Sequence, residues 1–238
     1  ATPFYFLNDI RMTQMVMSGI QRSGSNFLIG SPSFIRKEKD VDYHNSAYLV
    51  GPDGKVKGKY DKVHLVPFGE YVPLKEWLSF AGKIVEHAGD FKPGKKGDTI
   101  LLGDYHLGVQ ICYEIIFPNL ARAMAKNGAV LLINITNDAW YGTTSAPYQH
   151  FSMTIFRAVE NKRYLVRSAN TGISGFIDPA GRVVASTPLF EDAVIVRSVS
   201  LIDEQTVYTR VGDLFAMICL IMVLFFFLKR IIVKLRKK

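Results

Sequence analysis

Apolar positions recur every three to four residues over 10–22 (IRMTQMVMSGIQR) and stop before Gly24. That is the period of a helix with one buried face and a glycine at its C-terminal end. The pattern then shortens. Residues 26–30 predict a short apolar strand, and residues 47–50 and 55–59 flank Gly51-Pro52-Asp53-Gly54, predicting a hairpin whose turn residues supply the geometry. A second strand pair, 99–102 and 105–111, surrounds Gly103-Asp104, and Pro118-Asn119 opens a helix that runs to Asn127 and ends at Gly128. Residues 129–136 (AVLLINIT) form an apolar run of the kind a strand covered on both faces requires. A helix over 150–161 and strands over 164–169 and 174–178 complete the series, and the turn Asp178-Pro179-Ala180-Gly181 repeats the chemistry of the turn at 51–54. Strands alternating with helices, some strands apolar on both sides, predict a layered α/β domain.

The pattern changes once more near the end. Residues 214–228 (LFAMICLIMVLFFFL) carry no charge, and 231–233 resume the apolar character beyond Lys229 and Arg230. Twenty helical residues rise about 30 Å, the thickness of a bilayer's hydrocarbon core. The formal charge of +8 then acquires a different meaning, because six of the 29 cations and none of the 21 anions fall in the last ten residues. The rest of the chain is nearly neutral, which removes the case for a nucleic-acid partner. Cations directly after an apolar span predict a cytoplasmic flank, with the body of the chain on the far side of the membrane. The expected organisation is a catalytic domain over 1–210, a transmembrane helix over 211–233 and a basic tail over 234–238.

The chain opens on Ala1-Thr2-Pro3-Phe4-Tyr5, which has neither the charged nor the apolar region of a signal peptide. The expectation is that an upstream portion supplies membrane insertion. Of two cysteines, Cys219 lies in the apolar span and Cys112 in the body, so no disulfide is expected.

Three stretches carry candidate chemistry. An apolar strand runs through Gln110 and Ile111 into Cys112, then Tyr113 and Glu114. At such a strand end a thiol is a candidate nucleophile with a following backbone N–H as oxyanion donor, although a cysteine there also serves as a small core residue. The loop from Tyr60 to Pro73 holds Lys62 and Glu70 between prolines. Near a thiol, an ammonium lowers its pKa and a carboxylate can move its proton, whereas alone each is an ordinary surface charge. Trp140 and Tyr141, after the buried strand, suit either loop packing or contact with acyl chains. The histidines at 44, 64, 87, 106 and 150 show no ligand pair at metal-binding spacing, so no metal is expected, and His64 reads as structural.

GKYDKVHLVPFGEYVPL (58–74), ICYEIIFP (111–118), NDAWYG (137–142) and RAVENKRYLVRSANTGISGF (157–176) resemble the nitrilase-type, or carbon-nitrogen hydrolase, domain of the bacterial apolipoprotein N-acyltransferases. The likeness extends through the final apolar helix. It implies an αββα sandwich and a Glu-Lys-Cys triad in which Cys112 is the nucleophile and Lys62 the lysine. Glu70 and Glu114 match accessory acidic positions, Tyr113 the residue whose backbone N–H helps to hold the oxyanion, and Trp140 and Tyr141 the substrate-facing aromatics. The family's general-base glutamate is expected upstream of Ala1. The resemblance implies a ping-pong transfer, without cofactor, from a phospholipid acyl donor through a Cys112 thioester to the N-terminal S-diacylglyceryl cysteine of a lipoprotein. It also implies a monomer in the bacterial inner membrane with its catalytic domain in the periplasm. Two alternatives stay open: a membrane-tethered nitrilase-type amidohydrolase, in which water is the second nucleophile, and an inert fragment.

Overall fold

A computed structural model describes residues 2–38, 40–73 and 90–235. Leu74, His87 and the basic residues 236–238 lie outside the described residues. Helix α1 (Ile10–Ser23) starts at Asp9, whose side chain accepts from the Met12 N–H, and stops at Gly24 in the left-handed conformation (φ 64°). Strands β1 (Phe27–Arg36), β2 (Val41–Val50) and β3 (Val56–Asp61) form an antiparallel sheet in that order. The second sheet has the order β4 (Ile100–Leu102), β5 (Tyr105–Ile111), β6 (Ala129–Asn137), β7 (Leu165–Asn170), β8 (Gly175–Ile177) and β9 (Val183–Ser186). Its β5, β6 and β7 run parallel and its outer pairs antiparallel. The parallel crossovers are α2 (Pro118–Lys126) and α3 (Ala146–Asn161).

Alternation along β2 explains the layers, since successive strand side chains point to opposite faces. Ala47 and Leu49 join Tyr60, Ile100, Val109 and Ile111 in the core between the sheets. Tyr48 and Val50 face outward and pack with Phe6 and Ile20 of the α1 layer. On the far side, Leu132, Leu165 and Ile177 of the second sheet meet Ala121 of α2 and Ala158 of α3. The order helix, sheet, sheet, helices is the αββα sandwich that the resemblance implies.

Most predicted elements recur, with differences at their boundaries. The strand expected over 26–30 continues to Arg36 through Pro32, because β1 is an edge strand and a proline there need not break a ladder hydrogen bond. Helix α3 begins at Ala146, earlier than expected, with Pro147 in a first turn where its missing N–H costs nothing. The similar turns at 51–54 and 178–181 both close hairpins on a glycine of positive φ, Gly54 (75°) and Gly181 (83°). A short helix α4 (Val207–Val211) precedes α5 (Leu214–Leu235), which is long and apolar enough over Leu214–Ile232 to cross a membrane and has none of that span buried in the protein. Arg122 of α2 ties this end to the body by donating to the Tyr208 and Arg210 carbonyls at 3.0 and 2.9 Å.

Candidate active site

Three strand ends converge. β5 and β6 are parallel, so their C-terminal ends share one edge of the second sheet, and Cys112 and Asp138 directly follow them. In the facing sheet Lys62 directly follows β3. Between them lies a cavity of about 600 Å³, lined among others by Lys62, Glu70, Cys112, Tyr113, Trp140 and Tyr141.

Cys112 turns the chain from β5 into a short 3-10 segment (Cys112–Ile116) and takes φ 52°. A non-glycine residue in the left-handed region is uncommon and is held there by its surroundings. The Lys62 ammonium is 1% exposed and donates to Glu70 Oε2 at 2.7 Å. Glu70 is itself fixed: the Val66 N–H donates to Oε2 at 2.9 Å and the Asn45 side-chain amide donates to Oε1 at 2.7 Å. The loop carrying this pair folds back on itself, with the Glu70 N–H donating to the Val66 carbonyl and the Phe68 N–H to Tyr71. Residues 91–94 then fasten it, as Phe91 N–H donates to Glu70 and Gly94 N–H to Lys62 at 3.0 and 2.9 Å.

Glu114 is fully buried behind the cavity and is not among the residues lining it. Its carboxylate accepts from the Val63 and His64 N–H groups at 2.7 and 3.0 Å, from the Ile111 N–H at 2.7 Å and from the Tyr60 hydroxyl at 3.0 Å. It joins the end of β5 to the loop after β3, and so sets Cys112 opposite Lys62. Burial pushes its carboxyl above the ordinary carboxylate range, and the backbone N–H groups pull against that rise. His64 stacks on Phe117 with ring centroids 3.7 Å apart, and burial together with the Lys62 charge holds its imidazole below the usual value.

The two aromatics differ. Trp140 is 88% exposed and lines the cavity from its open side, whereas Tyr141 is partly buried with its ring edge on His150. Burial and the neighbouring Cys112 and Asp138 push the Tyr141 hydroxyl up. Sequence reasoning missed the polar groups beneath Cys112. Asn134 and His150 both reach the Cys112 carbonyl at 3.3 Å, and Asp138 bonds His150 at 3.1 Å and Arg167 at 2.6 Å. Burial would raise the Asp138 carboxyl, but the His150 hydrogen bond and the Arg167 charge outweigh it and hold the group low. Asp138 stands inside the NDAWYG stretch and Arg167 inside the 157–176 stretch, so the signal was an ionisable residue in otherwise strand-like sequence. Among the described residues no cluster of three or more His, Cys, Asp or Glu could hold a metal ion.

The carbon-nitrogen hydrolase family model matches residues 7–208. The apolipoprotein N-acyltransferase of Geobacter metallireducens is 47% identical over 219 residues, which cover 92% of this chain and 42% of that protein. The apolipoprotein N-acyltransferase of Rickettsia prowazekii is 39% identical over 217 residues, covering 89% and 43%. The chain thus spans less than half the length of these curated relatives. Among solved structures, Saccharomyces cerevisiae Nit3, a member of branch 10 of the nitrilase superfamily, superposes with a TM-score of 0.54 at 23% identity, covering 75% of this chain and 61% of that one. The carbon-nitrogen hydrolase of Helicobacter pylori gives 0.52 at 20% identity, covering 74% and 62%. At these identities the likeness speaks for the fold alone. The match runs across both sheets and takes in the ends of β3 and β5 together, and it makes this chain a member of the carbon-nitrogen hydrolase family.

Proposed function

We propose that the intact protein transfers an acyl chain from a phospholipid to the N-terminal S-diacylglyceryl cysteine of lipoproteins, with Cys112 as the acyl carrier. One observation carries this reading: Cys112, the Lys62–Glu70 pair and the exposed Trp140 share one cavity, in a chain that also has a helix of membrane length. The names of the two acyltransferase relatives support the choice of substrate class.

In the first half-reaction the Cys112 proton passes to a general base. The thiolate attacks the ester carbonyl, forming the S–C bond while the carbonyl electrons move to oxygen. The Lys62 ammonium and the Tyr113 N–H stabilise that oxyanion. Its collapse breaks the ester C–O bond, the base returns its proton to the departing lysophospholipid hydroxyl, and a thioester remains. The lipoprotein's neutral α-amino group then attacks and gives up a proton to the base, the amide forms, and the departing thiolate takes that proton back. A thiolate is a better leaving group than an alkoxide, which suits the second step. Glu70 keeps Lys62 aimed into the cavity, Glu114 maintains the spacing of the two strand ends, and Trp140 and Tyr141 contact the acyl chain. The same reading puts the protein in the bacterial inner membrane as a monomer, catalytic domain in the periplasm and basic tail in the cytoplasm.

The test is Cys112→Ala in the intact protein, followed by mass spectrometry of a reporter lipoprotein. Loss of the N-acyl mass increment with normal accumulation of the variant is expected. An undiminished increment would remove Cys112 from the chemistry.

A further inference from the structure

The Cys112 carbonyl is a fixed point beneath the cavity, and what fixes it is charged and buried. His150 Nε2 and Asn134 Nδ2 each lie 3.3 Å from this oxygen, and Asn134 also donates to the Gln110 carbonyl at 3.0 Å. A carbonyl oxygen can only accept, so the His150 Nε2 carries a proton. The other ring nitrogen faces Asp138 Oδ1 at 3.1 Å and an Arg167 N–H donor at 3.0 Å. It can donate to the first as imidazolium or accept from the second as neutral imidazole, and Nε2 keeps its proton in both forms. Arg167 braces the set: it donates to Asp138 Oδ2 at 2.6 Å, to the Ile173 carbonyl at 3.1 Å and to the side-chain oxygen of Asn134. Asp138 also accepts from the Thr136 hydroxyl at 2.9 Å. Gly172 lies against this carboxylate so closely that a Cβ there would collide with it. Asn134, Asp138, His150 and Arg167 are all buried.

The bond between Cys112 and Tyr113 is trans, as are all the described peptide bonds. In a trans peptide the C=O and the following N–H point in opposite directions. Holding the Cys112 oxygen down on Asn134 and His150 therefore turns the Tyr113 N–H away from them. It also holds Cys112 at its φ of 52°, which an unrestrained residue would leave. We propose that His150, backed by Asp138 and Arg167, is a positioning residue that aims the Tyr113 N–H at the oxyanion formed when Cys112 is acylated. The inference rests on the thioester reading above and extends it to residues that touch neither the acyl group nor the sulfur.

The consequence is specific to chemistry that generates an oxyanion. With a p-nitrophenyl ester, the S–C bond forms as the carbonyl electrons move to oxygen. The C=O then re-forms, p-nitrophenolate leaves, and the thiol proton passes to the base and solvent. With iodoacetamide, the S–C bond forms at a saturated carbon as iodide leaves, and no oxyanion arises. The intact protein and its His150→Leu and His150→Gln variants are treated with p-nitrophenyl butyrate and, separately, with iodoacetamide, and modification of Cys112 is followed by peptide mass spectrometry. Removing one oxyanion donor typically costs 10²–10³ in rate, so His150→Leu should slow acylation by about 10² while alkylation stays within about twofold. Gln restores an N–H donor, and His150→Gln should recover at least about tenfold of the lost acylation rate. Parallel losses with both reagents, or an unchanged acylation rate in His150→Leu, would overturn the positioning role. An unsubstituted protein that iodoacetamide labels at Cys112 but no acyl ester does would overturn the thioester reading and this inference with it.

Discussion

At the scale of single residues, the site depends on charges that are buried and answered one by one. Lys62 is almost fully enclosed, and the carboxylate of Glu70 meets it at 2.7 Å. Glu70→Gln keeps the shape and removes the charge, leaving a buried ammonium without that counter-ion. Breaking one side of such a pair costs about 3–5 kcal/mol. Chemical denaturation in detergent should show a loss of that order, and a loss below about 1 kcal/mol would mean that Lys62 has compensation elsewhere. His64 supplies a pH dependence. Its folded-state pKa lies below the ordinary 6.5, because burial and the Lys62 charge disfavour the imidazolium. As pH falls from 6.5 the unfolded chain takes up a proton before the folded one does. The contribution of His64 is therefore fully present above pH 6.5 and is lost as pH falls through the folded value. Melting profiles between pH 7.5 and about 5 should slope downward toward acid, and His64→Phe, which keeps the ring on Phe117, should flatten that slope. An identical slope in the variant would assign it to another group.

At the scale of elements, the loop after β3 is a separate device, zipped to the body by residues 91–94. Gly94 is the tightest point, since a Cβ there would overlap the backbone carbonyl of Asp61. Neither partner is a flexible side-chain end, so Gly94→Ala must push the strand from the loop. A loss of about 2 kcal/mol, or about 4–8 °C in Tm for a domain of this size, is expected in a thermal melt. A change under about 1 °C would show that the loop yields freely. This element also marks what could be read from the chain alone. The cap at Gly24 and the turns at Gly54, Gly103 and Gly181 are local chemistry, and all four glycines have positive φ. Most helices and strands between such signals were legible, but β2 starts at Val41 where the strand was expected from 47, and β9 and α4 were not read from the chain. Nor was the continuation of β1 past Pro32, because it depends on β1 being at a sheet edge, which is a property of the assembled sheet. Cys112, Lys62 and Glu70 stood out as candidates, but their own chemistry left a core cysteine and surface charges open, and the roles proposed for them came from the resemblance. Asn45, Asn134, Asp138, His150 and Arg167 did not stand out, since their partners are mostly far away in sequence: Asn45 meets Glu70, and Arg167 meets Asn134 and Asp138. Glu114 was assigned to the site by resemblance, but only the fold shows that its carboxylate gathers backbone N–H groups from two segments some fifty residues apart.

At the scale of the molecule, a nearly neutral α/β body is joined through α4 to a helix whose Leu214–Ile232 span is not buried among the described residues. The apolar side chains of α5 over Leu214–Ile232 suit a lipid environment, with Lys229 and Arg230 close to the end of that span. A carboxylate near the middle of a membrane span costs about 2.5–3.5 kcal/mol on insertion scales. The double substitution Ile221→Asp and Leu224→Asp should release α5 from the bilayer, read by flotation of the 238-residue chain with phospholipid vesicles. Unchanged flotation would indicate that the body itself binds lipid. The layout brings a thiol cavity and a helix long and apolar enough to cross a membrane into one chain, and the proposed role of the thiol is to carry an acyl group taken from lipid. The most direct test is to incubate the intact protein with phosphatidylethanolamine in the absence of any lipoprotein acceptor and to map the products by peptide mass spectrometry. A hydroxylamine-labile acyl group on Cys112, absent from Cys112→Ala, is expected. Lysophospholipid release with no adduct on Cys112, or an adduct on a different residue, would contradict it.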